Sequence, residues 1–399
     1  YTSVAADIGK PELLVLAVLF HDIGKGEGKD HSNKGADMMP KIARRLHLSK
    51  EDSKRLEFLV RHHLDMAHIS QRRDLHDIKL IQDFANTMEM VETLKMLFLL
   101  TFADIKAVGP DVWSEWKGHL LQELYESTYE TMERGNFMSE LRTERVRNRK
   151  RKTLAALKGD FDEKLIKNHL RSMSTRYLLT HRSWEVIDHV NLELSRGADT
   201  VAIQVKHDTE AEYSSVTIST VDVPGLFSMI TGVMAANGIN ILGALIYTRK
   251  NGNALDILHV NKPIGGVIDS PSKWQKVQSD LTAVLEGRVK VARLVRKRQK
   301  ASTLTGHKKP RYPNRVEFDC DVSREHTVID IFAHDKVGLL YRITRTLADL
   351  GLYIHVAKIS TKVDQVADTF YVKDIFGQPI NSEAKREDLR KALIECMEE

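Results

Sequence analysis

A repeat in the second half of the chain constrains its fold more than any other feature. Asp-Val-Pro-Gly-Leu-Phe at 222–227, followed by Gly-Ile-Asn-Ile at 238–241, matches Asp-Lys-Val-Gly-Leu-Leu at 335–340 followed by Gly-Leu-Tyr-Ile at 351–354, both at an offset of 113 residues. A constant offset marks one supersecondary unit used twice. Beyond Thr200 the apolar residues alternate with a period of two, as in Val-Ala-Ile-Gln-Val and Ser-Val-Thr-Ile-Ser-Thr-Val, which predicts strands alternating with short helices. Each copy reads strand, Asp-x-x-Gly-Leu turn, helix, Gly turn, strand, hairpin, strand, helix. Asn251-Gly252 signals the first hairpin. The first copy is expected to continue into a fourth strand, Val-Lys-Val-Ala-Arg-Leu-Val at 289–295, and each copy has an apparent extra strand upstream, near 201–206 and 316–321, able to cover a sheet edge.

The order is that of an α+β ferredoxin-like (βαββαβ) unit. Two such units carrying Asp-x-x-Gly-Leu resemble ACT domains, modules that bind amino acids and regulate an attached enzyme. Backbone N–H groups at a helix start attract a carboxylate, while Gly225 or Gly338 lets a ligand approach the chain closely. Asp222 and Asp335 either cap those helices or meet a ligand's ammonium group, and the plain alternative is that Asp and Gly only make a tight turn. The resemblance implies an amino-acid effector at Asp222, Gly225, Leu226 and Asn240 in one copy and at Asp335, Gly338 and Leu339 in the other.

The first third has a different period. From Pro11 to about Arg134 apolar residues recur at three- and four-residue steps, which predicts an all-α domain. Residues 135–194 turn polar and basic, with a weaker helical pattern through Leu165, Leu170, Tyr177, Leu178 and Trp184. The expected organisation is multidomain: an all-α domain over 1–134, a helical connector over 135–198, repeat units over 199–296 and 316–399, and a basic linker over 297–315 between them.

Seven of the seventeen histidines fall between His21 and His76, so the chemistry is expected in the first segment. Pro11 suits a first helical position and Gly24 a helix stop, which puts the His21-Asp22 dyad at the end of the apolar run Leu13 to Phe20. A divalent metal satisfies imidazole nitrogen and carboxylate oxygen together. Ser49 is an N-cap candidate with Asp52 three residues on. On the helix that follows, Leu56, Leu59 and Val60 define an apolar face with His63 near its middle, whereas His62 turns toward Phe58 and Arg55. A lone histidine on such a face is usually a hydrogen-bonded core residue. His21, Asp22 and His31 as neighbours make His63 a ligand candidate. Val91, Leu94, Phe98, Phe102 and Ile105 form another stripe with Asp104 on its flank, either as a ligand or in a surface ion pair with Lys106. Lys25 either neutralises a phosphoryl oxygen or is solvated.

Bulk properties exclude several classes. The longest apolar run has eight residues, far too short for a membrane span, and no secretion signal is evident. Cys320 and Cys396 are too few and too far apart for a disulfide framework or a cysteine zinc site, which suits a reducing, cytoplasmic setting. The net charge of +5 gathers in 142–152 and 288–315; without interleaved aromatics in the first run, these read as solvated faces or linkers and not as a nucleic-acid site.

Leu-Phe-His-Asp-Ile-Gly-Lys-Gly (19–26), Lys-Asp-His-Ser (29–32), Val-Arg-His-His-Leu (60–64), Gln-Arg-Arg-Asp (71–74), Phe-Ala-Asp-Ile (102–105) and Trp-Ser-Glu-Trp-Lys (113–117), ending in the two ACT-like copies, together resemble the bifunctional uridylyltransferase and uridylyl-removing enzyme family of bacterial nitrogen control. The resemblance implies an HD-type phosphohydrolase domain in which His21, Asp22 and Asp104 hold Mn²⁺ or Mg²⁺, while His31 and His63 complete a second metal position or contact phosphate. It implies hydrolysis of the bond joining UMP to a tyrosine of a PII-type signalling protein, stimulated by glutamine at the ACT units, and self-association through those units. The family carries a nucleotidyltransferase domain ahead of the HD domain and a further histidine ahead of the dyad. Residues 1–20 hold no histidine, so the sequence is expected to start inside the HD domain. An ACT-regulated guanosine tetraphosphate hydrolase and a non-catalytic amino-acid sensor are the competing readings.

Overall fold

The computed structural model describes residues 1–28, 30–109, 112–134, 138–249, 251–302, 313–319, 322–362 and 365–398. Lys29, the 134/135 boundary, most of the 297–315 linker, Cys320 and residue 321 of the upstream strand lie wholly or partly outside them. The chain divides into two compact units, Tyr1–Met138 and Ser139–Glu399.

Every regular element among the described residues of the first unit is helical: α1 (Thr2–Ala6), α2 (Pro11–Phe20), a 3-10 turn (Ile23–Glu27), α3 (His31–Arg45), α4 (Lys50–His62), α5 (Asp65–Arg72), α6 (Ile78–Thr87), α7 (Val91–Val108) and α8 (Glu115–Arg134). Pro11 occupies the first turn of α2, which stops at Phe20, so the dyad follows the helix directly. Ser49 caps α4 by accepting from the Asp52 amide at 3.1 Å. Leu56, Leu59 and Val60 of α4, Met66 of α5, and Leu94, Leu97 and Phe98 of α7 are buried in the core, and α2 packs on both α4 and α7.

The second unit begins with α9 (Met138–Leu157), α10 (Glu163–Ser172), α11 (Thr175–Thr180) and α12 (Ser183–Arg196). The first repeat copy follows as β1 (Val201–Asp208), β2 (Tyr213–Val221), α13 (Leu226–Ala236), β3 (Asn240–Thr248), β4 (Asn253–Asn261) and α14 (Pro271–Leu285), with α15 (Val291–Ser302) after it. The second copy is β5 (Arg315–Asp319), β6 (Thr327–His334), α16 (Leu339–Asp349), β7 (Tyr353–Lys358), β8 (Thr361–Lys362), β9 (Gln365–Lys373) and α17 (Glu383–Glu398). Both copies share one antiparallel sheet in the order β1-β2-β4-β3-β7-β9-β6-β5, with β8 on β9. The copies join where β3 meets β7, Ala244 opposite Ala357. These residues are repeat equivalents, as are Thr231 and Thr344, whose hydroxyls lie 3.0 Å apart across 113 residues. A pseudo-two-fold axis therefore passes between the copies.

The upstream strands exist and form the two ends of the sheet, β1 on β2 and β5 on β6. The fourth strand expected at 289–295 does not: from Val291 that segment is α15, which also takes in the start of the expected linker. Val-Lys-Val imitates a period of two, but buried Val291 and Val295 stand four residues apart and face the core while the basic residues turn outward. The sheet edge that a fourth strand would have taken is already held by β1.

Candidate metal centre

Three local devices in the first unit deliver the predicted side chains to one place. The 3-10 turn after the dyad lies so close to the start of α3 that a Cβ on Gly24 would sit 2.2 Å from the His31 carbonyl oxygen. That contact holds Asp22 beside His31, whose Nε2 is 3.4 Å from Asp22 Oδ1. His63 closes α4 on its apolar face, 1% exposed, with Nε2 3.9 Å from the same oxygen. From α7, Asp104 Oδ1 reaches within 3.3 Å of His21 Nε2, which is also 3.3 Å from Asp22 Oδ2. Lys25 Nζ pairs with Asp22 Oδ2. His21, Asp22, Lys25, His31, His63 and Asp104 are thus brought together, and the five other than Lys25 form two overlapping sets with metal-ligand spacing, Asp22/His31/His63 and His21/Asp22/Asp104.

The imidazole orientations fit a cation. His21 Nδ1 is bonded to the Val18 carbonyl at 2.8 Å and His63 Nδ1 to the Val60 carbonyl at 2.7 Å, which fixes both rings with Nε2 toward the carboxylates. The Nε2 atoms of His31 and His63 are buried without a hydrogen-bond partner among the described residues. Burial lowers the pKa of His63 and so favours the neutral, ligating form. The hydrogen bond to Asp104 raises the pKa of His21, and His21 in turn lowers that of Asp104. His62 points elsewhere, its ring tilted against Phe58 with centroids 4.3 Å apart and bonded to Asp65.

The repeat turns are less uniform. Gly225 and Gly338 start α13 and α16 with φ of +75° and +85°, the left-handed conformation that glycine supplies without strain. Asp222 does not cap α13: its Oδ2 accepts from the Thr248 hydroxyl at 2.9 Å. Leu226 and Leu339 are buried in the core. Asn240 bonds Asn261 at 2.9 Å at the opposite end of β3 from Thr248, so it does not join Asp222. In the second copy Val295 lies 2.7 Å from where a Gly338 Cβ would be, and Gln299 Nε2 donates to the Val337 carbonyl at 2.9 Å.

Sequence reasoning missed one buried polar cluster, where Arg249 pairs with Glu193 and bonds His169. Its members are 56 and 80 residues apart, and no local pattern connects them.

The fold and this centre define an HD-domain protein with tandem ACT-type units. The HD domain family matches residues 2–96, and the family described as "ACR9-like, ACT-like domain" matches residues 315–399. The bifunctional uridylyltransferase/uridylyl-removing enzyme of Rhodospirillum rubrum is 41% identical over 95% of the chain and 40% of its own length. Those of Azospirillum brasilense and Ruegeria pomeroyi are 37% and 34% identical over 96% and 97% of the chain and 41% and 43% of theirs. Over these residues the chain is similar to the bifunctional uridylyltransferase/uridylyl-removing enzymes, and it spans about two fifths of the length of the curated relatives it matches. Among the described residues no helix is long and apolar enough to cross a membrane.

Proposed function

We propose that His21, Asp22, His31, His63 and Asp104 hold a divalent cation, Mn²⁺ or Mg²⁺, and that the protein hydrolyses the phosphodiester joining UMP to a tyrosine of a PII-type protein. The observation that carries this reading is the pair of buried Nε2 atoms of His31 and His63, aimed at Asp22 without a hydrogen-bond partner among the described residues. Such atoms are costly to leave unsatisfied, and a cation satisfies both. A bound cation supplies Lewis acidity toward the phosphoryl oxygens and makes water a better nucleophile.

The side chains do the rest. Asp22 and Asp104 provide the negative charge, and the Val18 and Val60 carbonyls keep the His21 and His63 rings from turning. Lys25, beside Asp22 and largely exposed, offsets negative charge that builds on a phosphoryl oxygen. Water adds to phosphorus, the bond to the tyrosine oxygen breaks, the tyrosine takes up a proton and UMP leaves. Glutamine at the Asp-x-x-Gly-Leu turns stimulates this removal, with the α-carboxylate at a helix start and the ammonium at Asp222 or Asp335.

Manganese titration of this chain tests the first half and release of UMP from uridylylated PII by the intact enzyme the second. Wild type should bind Mn²⁺ stoichiometrically. His63→Ala should lose more than about 100-fold in affinity, beyond what loss of an outer-shell partner costs, and should release no UMP while remaining folded. A folded His63→Ala protein that binds and turns over normally sinks the assignment.

A further inference from the structure

The hairpin between β3 and β4 touches two things at once. On one side Thr248 donates to Asp222 Oδ2 at 2.9 Å, and the Asp222 amide donates to the Gly252 carbonyl at 2.8 Å. On the other, Arg249 pairs with Glu193 of α12 and bonds His169 Nδ1 of α10 at 3.0 Å. Asn253 Nδ2 donates to the same Glu193 oxygen at 3.2 Å, and Arg196 of α12 donates to Asn253 Oδ1 at 3.4 Å. Arg249, Glu193 and His169 are all buried. Burial and the neighbouring guanidinium push the His169 pKa down to about 2, so the ring is neutral and accepts from Arg249.

We infer that this hairpin, with Arg249 as its joint, carries effector occupancy at the Asp222 turn into helices α10–α12, and that the first repeat copy is the one coupled in this way. The inference rests on the amino-acid effector reading above. A ligand ammonium that takes Asp222 Oδ2 away from Thr248 changes what holds the hairpin tip. An ion pair in a low-dielectric interior responds steeply to a small displacement. The ligand then favours whichever hairpin position leaves Asp222 available to it, which is the differential contact a regulatory shift requires. The helices α10–α12 form a core with Leu255 and Ile257 of β4, on the first copy, and α12 packs on β1 and β2. In the second copy the repeat equivalent of Arg249 is Lys362, and its turn is backed by Val295 and Gln299 of α15.

The test is hydrogen–deuterium exchange of the chain with and without L-glutamine, beside calorimetric binding. In wild type, glutamine should slow exchange at 222–226 and change it at least fivefold in α10 and α12, as an order of magnitude for a locally opening element. The double variant Arg249→Met/Glu193→Gln removes the pair without stranding a charge, so it keeps the fold. It should still bind glutamine and protect 222–226, while α10 and α12 no longer respond. Arg249→Lys should give a partial response. A full response of α10 and α12 in the double variant overturns the inference, as does a glutamine response confined to 335–339. If glutamine fails to bind wild type, the effector reading itself falls and takes this inference with it.

Discussion

Two clusters, one in the first unit and one in the second, put imidazole beside carboxylate to opposite ends. In the first unit His21, His31 and His63 surround Asp22 and Asp104, and two imidazole nitrogens are left without a hydrogen-bond partner among the described residues. In the second unit His169 and Glu193 also meet in a buried site, but there the chain supplies the cation itself as Arg249. The difference separates a site that, on the proposed reading, accepts a cation from a joint that holds one in place. A guanidinium is fixed by covalent attachment, whereas a divalent ion can leave and return, so substitutions in the two clusters should fail in different ways.

The largest effect is expected at the joint. Arg249→Met alone leaves Glu193 buried without its partner, which should cost about 3–5 kcal/mol. Chemical denaturation of the chain should show the loss, and Mn²⁺ affinity should stay within twofold of wild type. The reverse is expected for Asp22→Ala, which removes the carboxylate shared by both ligand sets. Manganese affinity should fall by more than about 100-fold, while stability in a chelator changes by less than about 1 kcal/mol because the pairs it makes are partly exposed. If Asp22→Ala unfolds the chain or Arg249→Met releases manganese, the contrast between an accepting site and a holding joint is wrong.

The accepting site was far more legible in the sequence than the joint. Helix periodicity placed His63 inward and His62 outward, Pro11 set the start of α2, and Ser49 announced α4, because each depends on residues within a few positions. The offset between repeats revealed two equivalent units, but it could not show that β3 pairs with β7, since an alternating strand does not specify which edge it presents. The segment at 289–295 misled because three residues of alternation outweighed the four-residue spacing that continues to its end. The Arg249 cluster left no trace, because its geometry is created only when α10 and α12 dock on the sheet.

A third buried group sharpens the contrast between accepting and holding. Asp256, on β4 opposite Ile218, is 1% exposed, and neither carboxylate oxygen has a hydrogen-bond partner among the described residues. Its repeat equivalent Asp368 accepts from the Ser360 amide at 3.3 Å. Burial pushes the Asp256 pKa up to about 8, with the Asp222 charge adding to the rise. The folded chain therefore holds a proton there that the unfolded chain gives up near pH 3.9, the ordinary aspartate value. Between these values folding takes up a proton, so this contribution to stability is complete below about pH 4, declines as pH rises and is gone above about 8. Asp256→Asn cannot ionise and should escape the decline. Its melting temperature relative to wild type should climb from pH 5 to pH 8, by at most about 1.4 kcal/mol per pH unit, because the cost of an unpaired buried amide is the same at every pH and only sets where the climb starts. A difference that stays constant across that range would mean that Asp256 is already ionised and satisfied in the folded chain. It would then be a holding group like Glu193, with a partner that keeps its charge.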